Sequence, residues 1–396
     1  MSTAENMAPP ADPEVLPLWR ELVGVLALFL VARGLLGMLV LFGSALTRST
    51  AARDPSFGTW QAFPDSYFWD TWARWDSGWF MKIVEEGYAP AGDHSADVRK
   101  AAFFPLYPYL TRTIAGLTGN HWIAGLLVSN LSLLGALFFL GRIARHVGLD
   151  EDGARRTQLY LLAFPTSFFL SSYYSEGLFL LLTTAAMWFY LRRWFLPAGI
   201  AGALACTSRH VGLALFVACL LGAAISWKGL KGRRAGAFWL LLMPLGTAAF
   251  AGLLYLKMGE PLAFLASHSL WSRQSMSPHQ TLLKTFGQVD WALPRNMVNT
   301  IRAMDLLSVL PFLALPAFLI RKADPALPAF AWLMVLVPLT SGSVQSLMRC
   351  EAVIFPAFLV LAGWGRNRDV DRALVYGMGL FQGLLVLHFG NWFFVG

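Results

Sequence analysis

The amino-acid sequence predicts an all-α polytopic membrane protein with about eleven transmembrane helices and a large first extracytoplasmic loop. Hydrophobic residues make up 56% of the 396 residues, and only 14% are charged. A soluble domain of average composition is about 25% charged, so this chain has too few charges to solvate its surface. Apolar segments long enough to span a bilayer also recur along the chain. These observations exclude the soluble enzyme folds.

The N-terminal residues 1–18 are predicted to form a disordered cytoplasmic tail. They are Pro-rich and mildly acidic, unlike the basic start of a cleavable signal peptide. Residues 19–396 are predicted to form a single integral membrane domain. About twenty apolar residues cross a bilayer as a helix, and fewer suffice where prolines or glycines break the helix. The predicted spans are 20–46, 121–141, 154–171, 176–191, 195–207, 211–227, 236–256, 302–320, 326–341, 350–364 and 373–394.

Basic clusters between these spans predict their orientation. If the spans alternate in direction, the clusters all fall on one side, and the positive-inside rule makes that side the cytoplasm. The clusters are Arg142, Arg145, Arg155 and Arg156; Arg192 and Arg193; Lys228, Lys231, Arg233 and Arg234; Arg321 and Lys322; and Arg366, Arg368 and Arg372. The segment Phe103–Leu117 must then not cross, because counting it as a span would invert every later cluster. Its FFPLYP motif, with two prolines, suits a re-entrant or interfacial half-helix.

This topology places most of the polar residues found among apolar ones on the opposite, extracytoplasmic side. The segments concerned are the loop 47–120, the hairpin 171–176, residues 208–210, the second loop 257–301, the turn 343–349, and residues 391–392. Polar and ionisable groups within a membrane protein are costly, so their gathering on one face predicts a functional site there.

The first loop carries a large share of the acidic residues. Eight of the 23 carboxylates of the chain belong to Asp54, Asp65, Asp70, Asp76, Glu85, Glu86, Asp93 and Asp97. The central segment Trp69–Tyr88, WDTWARWDSGWFMKIVEEGY, predicts an amphipathic interfacial helix when it is placed at about 100° per residue. Its apolar face would carry Trp72, Trp75, Trp79, Phe80, Ile83 and Val84. Its wet face would carry Asp70, Arg74 and Glu85.

Asp76 falls in the middle of that apolar face. A carboxylate there is costly unless it faces a polar cavity or a partner, which makes Asp76 a candidate general base. The alternative is that Asp76 caps a helix starting at Ser77, or pairs with Arg74 or Lys82. The tryptophans of the same face, Trp75 and Trp79 among them, are interpreted as interfacial anchors or as a platform for a sugar ring.

Three further charged residues stand out at the extracytoplasmic ends of predicted spans. Glu176 follows Tyr174 at a hairpin tip and either contacts an acceptor or caps the next helix. Arg209 interrupts an apolar stretch and either binds a phosphate or forms a buried pair with Asp76 or Glu176. Arg349 lies in a similar place, with a local pair to Glu351 as the alternative. The basic residues of the second loop are expected to be mostly solvated, and they are Lys257, His268, Arg273, His279 and Lys284.

Other classes of function find no support. The net charge of +8 is attributed to cytoplasmic loops, so no nucleic-acid partner is predicted. The three cysteines Cys206, Cys219 and Cys350 have no paired spacing, which argues against a disulfide framework or a metal site. Nucleotide-binding and nucleophile-elbow motifs are missing from the sequence. We therefore predict neither a metal nor a cofactor.

Seven motifs occur in an order that resembles one family. They are RWDSGWFMKIVEEGY (74–88), AFFPLYPYLTR (102–112), FPTSFFLSSYYSEGLFLLL (164–182), SRHVGL (208–213), YLKMGEPLAFL (255–265), QSLMRCEAVIFPAF (345–358) and FQGLLVLHFGNWFFVG (381–396). Together they resemble the GPI mannosyltransferase II (PIG-V) family and its bacterial relatives, membrane glycosyltransferases of the GT-C type. The resemblance extends over residues 20–396.

The resemblance implies a membrane enzyme that transfers mannose from a polyprenyl-phosphate sugar donor on the extracytoplasmic face. Asp76 matches the family's WD motif and would be the catalytic base. Arg209 and Arg349 would neutralise the donor phosphate. Substrate contacts would come from Trp75, Trp79, Tyr174 and Glu176.

The acceptor would be a lipid, a glycan or a protein. The expected location is a bacterial inner membrane, with membrane lipid around the helices. A transporter or flippase for lipid-linked sugars, or a non-catalytic lipid-binding subunit, is the alternative that these residues leave open.

Overall fold

The computed structural model describes residues 17–46, 62–88, 94–292 and 296–395. Most of the predicted N-terminal tail lies outside these ranges, and so do parts of both predicted loops. The predicted acidic residues Asp54 and Asp93 lie outside them as well. Within the described ranges the chain forms α-helices and short 3₁₀ segments and contains no β-strand.

The helices follow one another with short connections. They are α1 (Leu18–Leu46), α2 (Tyr67–Thr71), α3 (Ser77–Glu86), α4 (His94–Lys100), α5 (Leu106–Thr118), α6 (His121–His146), α7 (Glu151–Ala163), α8 (Glu176–Leu191), α9 (Phe195–Ser208), α10 (Leu213–Ile225), α11 (Leu245–Met258), α12 (Ala263–Leu270), α13 (Pro278–Gln288), α14 (Met297–Ala314), α15 (Ala326–Leu339), α16 (Leu347–Glu351), α17 (Phe355–Trp364) and α18 (Arg368–Gly390). The 3₁₀ segments are Ser167–Ser171, His210–Gly212, Trp227–Leu230, Arg234–Leu242 and Leu315–Leu319.

Five helical segments of the described chain are long and apolar enough to cross a membrane. These are α1, α6, α18, the combined segment Arg234–Met258 and the combined segment Met297–Leu319. Shorter apolar helices are α8, α9, α15, α17 and the segment His210–Ile225. The sequence prediction of an all-helical membrane protein is confirmed at this level.

Helix α7 is shorter than its predicted span, 154–171, because a proline follows it. The helix ends at Ala163, and Phe164 has the extended conformation that a residue before proline prefers. The chain then continues as the 3₁₀ segment Ser167–Ser171, which delivers the hairpin 171–176 to the end of the bundle.

Helix α8 lies at the centre of the packing, between α6 and α9. Around it, α10 packs on α15, α7 packs on α17, and α1 packs on α18. At one end of this bundle, Glu21 of α1 pairs with Arg142 and Arg145 of α6. At the same end, Arg193 pairs with Asp324, with 3.2 Å between Nη2 and Oδ2. The basic clusters of the sequence thus lie at the end opposite to the hairpin 171–176.

The segment Trp69–Tyr88 is not one continuous helix, so that part of the sequence prediction is wrong. Helix α2 ends at Thr71 and α3 begins only at Ser77. Between them Trp75 has φ 57°, a left-handed conformation that no α-helix can contain. The broken helix removes Trp72 and Trp75 from the apolar face of α3.

Asp70 and Arg74 are buried rather than on a wet face. They form an ion pair of 3.2 Å, and Arg74 also donates a hydrogen bond to the Gly390 carbonyl. The Arg74 guanidinium lies 4.7 Å from the centre of the Trp392 ring. This pair therefore fastens the first loop to the C-terminal segment, which explains its burial.

Helix α5 corresponds to the predicted half-helix. With 13 residues it is shorter than the roughly 20 that a span requires. Its Tyr107 hydroxyl donates to the Gly125 carbonyl at 3.0 Å, so α5 lies along the first turns of α6. Gly119 ends the helix in a left-handed conformation, as glycine permits.

Candidate active site

Four charged side chains from four distant parts of the chain meet at the hairpin end of the bundle. The Arg349 Nη1 atom lies 2.7 Å from Asp76 Oδ2, and its Nε lies 3.1 Å from Glu176 Oε1. The Arg209 Nη1 atom lies 2.6 Å from the same Glu176 oxygen. We call these four residues, Asp76, Glu176, Arg209 and Arg349, the ion-pair cluster. Every one of them was a candidate from the sequence.

The chain conformation before α3 directs Asp76 into this cluster. Asp76 occupies the N-cap position of α3, yet its side chain makes no capping hydrogen bond. Its partner is Arg349, so the sequence alternatives of a cap, or of a pair with Arg74 or Lys82, are wrong. The left-handed Trp75 lies just before it, with its ring 6.1 Å from Trp392 and 5.2 Å from Phe394. Strained backbone of this kind persists only where packing holds it, and it is common at active sites.

Glu176 is the first residue of α8 and the most buried member of the cluster. Its side chain is 2% exposed, compared with 18% for Asp76. The preceding hairpin is held by the Ser129 hydroxyl, which donates to the Tyr174 carbonyl, and by the Tyr173 amide, which donates to Trp72. Glu176 is thus a fixed bridge between two arginines, whereas Asp76 keeps an accessible face.

Arg209 terminates α9 in an extended conformation that points its side chain toward the hairpin. It also lies within 3.3 Å of the Ser175 hydroxyl, to which it donates. Of the two sequence alternatives for Arg209, the structure contains the buried pair with Glu176.

Arg349 is presented by the short helix α16, whose turn is fixed by a buried carboxylate. Asp305 of α14 accepts hydrogen bonds from the amides of Ser346 and Met348 at 3.2 and 2.9 Å. The Glu351 carboxylate accepts from the Ser308 hydroxyl instead, so the predicted local pair with Arg349 is not formed. No sequence signal pointed to Asp305, because its partners are backbone amides 41 and 43 residues away.

Aromatic rings and charges set the electrostatics of the cluster. The Arg349 guanidinium lies 5.4 Å from the Phe169 ring centre and 5.5 Å from that of Tyr174. Burial alone lowers the pKa of Arg349, but Asp76 and Glu176 outweigh it and raise that pKa above its ordinary value. Burial, and next the charge of Asp76, raise the pKa of Tyr174 well above its ordinary value. Tyr174 therefore stays neutral and donates its hydroxyl proton to the Arg74 carbonyl at 2.8 Å.

The two candidate tryptophans belong to separate groups of rings. Trp79 stacks on Phe103, with centres 6.0 Å apart and planes 10° apart, and Trp271 meets both edge-on. Trp75 instead packs with the C-terminal rings described above. Trp79 lies one helical turn after Asp76, so its group of rings borders the accessible face of that carboxylate.

One residue of the site was missed by sequence reasoning. Arg273 was grouped with the solvated basic residues of the second loop, yet it lies close enough to Arg349, Asp76 and Arg209 to interact with them electrostatically. Burial, together with the two neighbouring arginines, lowers its pKa. No local motif marks Arg273, because its position depends on how the second loop folds over the bundle.

The cysteines of the chain are free thiols. Cys206 and Cys219 are buried, and Cys350 is half-buried. Across the part of the chain that the structure describes, no three His, Cys, Asp or Glu side chains are grouped so that they could hold a metal ion.

Comparisons with known proteins agree with this arrangement. The sequence model of the family described as Mannosyltransferase (PIG-V) matches residues 23–220, half of the chain, which include Asp76, Glu176 and Arg209. None of the curated proteins matches the chain.

Two solved structures of ArnT from Cupriavidus metallidurans are similar to this chain, one bound to undecaprenyl phosphate and one in the apo state. Their TM-scores are 0.53 and 0.52, with 18% and 19% sequence identity. The likeness covers 81% of this chain, and 75% and 74% of the two ArnT chains. At such low identity it establishes the fold, which is ArnT-like and of the GT-C type.

Proposed function

Because the chain belongs to the PIG-V mannosyltransferase family, we propose that it transfers mannose from a polyprenyl-phosphate donor to an acceptor hydroxyl. The observation that carries the proposal is the ion-pair cluster, in which one carboxylate, Asp76, remains accessible beside two arginines. The chemistry requires a base for the acceptor and positive charge for the departing phosphate, and the cluster contains both. The acceptor is a lipid, a glycan or a protein.

The proposed topology has about eleven spans, with α5 on the extracytoplasmic side. It is supported by the basic residues at the opposite end of the bundle, since Lys and Arg concentrate in cytoplasmic loops. The cluster then lies at the extracytoplasmic surface of the membrane. A lipid donor would reach it with its tail among the helices and its phosphate at the interface.

The proposed reaction is a single displacement with inversion. Asp76 takes the proton of the acceptor hydroxyl while the acceptor oxygen attacks the anomeric carbon. The bond from that carbon to the phosphate oxygen breaks, and its electron pair stays on the phosphate. Because one displacement needs only one base, no second catalytic carboxylate is required, unlike in glycoside hydrolysis.

The remaining candidates are assigned to binding. Arg209 and Arg349 contribute positive charge near the donor phosphate. Trp79 and Trp75 are proposed to contact sugar or acceptor rings. Tyr174 and Glu176 are buried, so we assign them to fixing the arginines rather than to direct contact with an acceptor. The bound undecaprenyl phosphate of the similarly folded ArnT supports a polyprenyl-phosphate donor.

The decisive test is Asp76→Asn, assayed in membranes with a radiolabelled polyprenyl-phosphate mannose. Loss of a general base costs about 10²- to 10⁴-fold in rate, so we expect transfer to fall by that factor. Asp65→Asn is the matched control, because Asp65 is an exposed carboxylate of the same loop. Full transfer by Asp76→Asn would overturn the base assignment. Label that crosses the bilayer without a new glycosidic product would favour a flippase.

A further inference from the structure

Arg273 is a charged residue of the site that the proposed reaction does not yet use. Its guanidinium donates to the Ser341 hydroxyl at 3.3 Å, and it forms no ion pair with a carboxylate of the described residues. Arg209 and Arg349 differ from it, because each has a carboxylate within about 3 Å. Arg273 is thus the cation near the cluster whose charge remains uncompensated.

The backbone holds Arg273 beside the turn that leads to Arg349. The Gln274 amide donates to the Ser341 carbonyl and the Met276 amide to the Thr340 carbonyl, each at 3.0 Å. Gly342 makes this close approach possible. It has φ 69°, and a Cβ there would lie 2.5 Å from the Gln274 carbonyl oxygen.

The formal charges around Asp76 do not cancel. Asp76 and Glu176 contribute two negative charges, whereas Arg209, Arg349 and Arg273 contribute three positive ones. An uncompensated buried charge is costly, and Arg is the side chain best suited to bind a phosphate. We propose that Arg273 binds the phosphate of the lipid donor, an inference that rests on the function proposed above.

The charge balance then holds throughout the reaction. A polyprenyl-phosphate sugar is a phosphodiester with one negative charge, which matches the surplus of one positive charge. When Asp76 takes the acceptor proton, the surplus rises to two positive charges. At the same moment the leaving phosphate gains a second negative charge. The proton transfer at Asp76 and the phosphate departure near Arg273 therefore compensate each other within one water-poor site.

The test measures binding of undecaprenyl phosphate and of undecaprenol, its phosphate-free counterpart, to the full-length protein in nanodiscs. We expect the wild-type chain to prefer the phosphate. In Arg273→Gln that preference should fall by about tenfold or more, because a charge-assisted hydrogen bond is lost. Undecaprenol should bind the variant as it binds the wild type, which also reports that the variant is folded. Arg273→Lys, which keeps the charge but loses the planar fork, should be intermediate.

Ser341→Ala is the matched control, since it removes the hydrogen-bond partner of Arg273 within the protein but keeps its charge. We expect it to retain the preference for the phosphate. If Arg273→Gln keeps the wild-type preference, or Ser341→Ala loses as much of it, Arg273 is only an anchor of the second loop and the inference fails. If the wild-type chain itself shows no preference for the phosphate, the polyprenyl-phosphate donor is overturned as well.

Discussion

At the scale of single residues, Glu176 organises the candidate site through one carboxylate oxygen. That oxygen lies within about 3 Å of both Arg209 and Arg349, and the side chain is almost fully buried. Removing one partner of a buried pair is far more costly than the pair is stabilising, because the remaining charges stay out of water. Here two arginines would be left without their shared counter-charge.

Glu176→Gln is therefore expected to lower stability by about 3–5 kcal/mol and to abolish transfer. The amide keeps the shape of the side chain but removes its negative charge, so both arginines lose their common partner. Thermal unfolding of the detergent-solubilised protein and the transfer assay measure the two effects. Glu85→Gln, an exposed carboxylate on α3, should change neither. A Glu176→Gln protein with wild-type stability would contradict the role of this residue as a bridge.

The sequence could identify the members of the cluster but not their pairing. Asp76, Glu176, Arg209 and Arg349 each stood out as a charge in apolar surroundings, which is a local property. Their partners lie far away along the chain; Asp76 and Arg349, for example, are 273 residues apart. Arg273 did not stand out, because a loop arginine is usually solvated and only the fold brings it to the cluster.

At the scale of elements, the start of α8 depends on a close contact at Gly177. A Cβ on this residue would lie 2.3 Å from the Leu170 carbonyl oxygen and 2.8 Å from that of Ser129. Both neighbours are backbone atoms, which cannot rotate away as a side chain would. The glycine thus lets the hairpin and α6 lie against the first turn of α8, beside Glu176.

Gly177→Ala should destabilise the protein by about 1–3 kcal/mol, because overpacking forces the backbone to shift. We also expect lower transfer activity, since the shift displaces the neighbouring Glu176. The thermal unfolding midpoint and the transfer rate are the measurements. Gly24→Ala in α1 is the control, because no atom lies within 4 Å of the added Cβ. Equal midpoints for the two variants would show that the contact at Gly177 is not tight.

The break between α2 and α3 shows why helix patterns alone misplaced an element. Apolar periodicity favoured one helix through Trp69–Tyr88, and the part after Ser77 is indeed helical. The turn at Trp75 is stabilised by rings of the C-terminal segment and by the Arg74 contact with Gly390. These tertiary contacts outweigh the local preference, and they turn Asp76 toward Arg349.

At the scale of the whole molecule, the two ends of the bundle differ in their charged groups. One end carries pairs such as Arg142 with Glu21, which are consistent with the cytoplasmic side. The other end carries the ion-pair cluster and most of the aromatic contacts around it. The proposed orientation follows from this difference and from α5 not crossing.

Single cysteines introduced into a cysteine-free variant test that orientation. Glu85 before α5 and Leu117 at its end are both exposed, and so is Lys231. If α5 does not cross, Glu85→Cys and Leu117→Cys should both react with an impermeant maleimide in intact cells. Lys231→Cys should react only after permeabilisation. Labelling of Glu85→Cys and Leu117→Cys from opposite sides would mean that α5 spans the membrane and that the later helices are inverted.

The sequence by itself determined the solvent of this protein, the helical class and the residues whose charge is costly. These are properties of composition and of local hydropathy, so no tertiary information was needed to predict them. The tertiary structure decided which charges compensate one another, where the helix before Asp76 breaks, and which loop residue joins the site. Each of these depends on contacts between segments far apart in the chain, such as the second loop with the turn before Arg349. Because local patterns carry no distance between such segments, only the folded chain reveals that Arg273 remains the uncompensated cation.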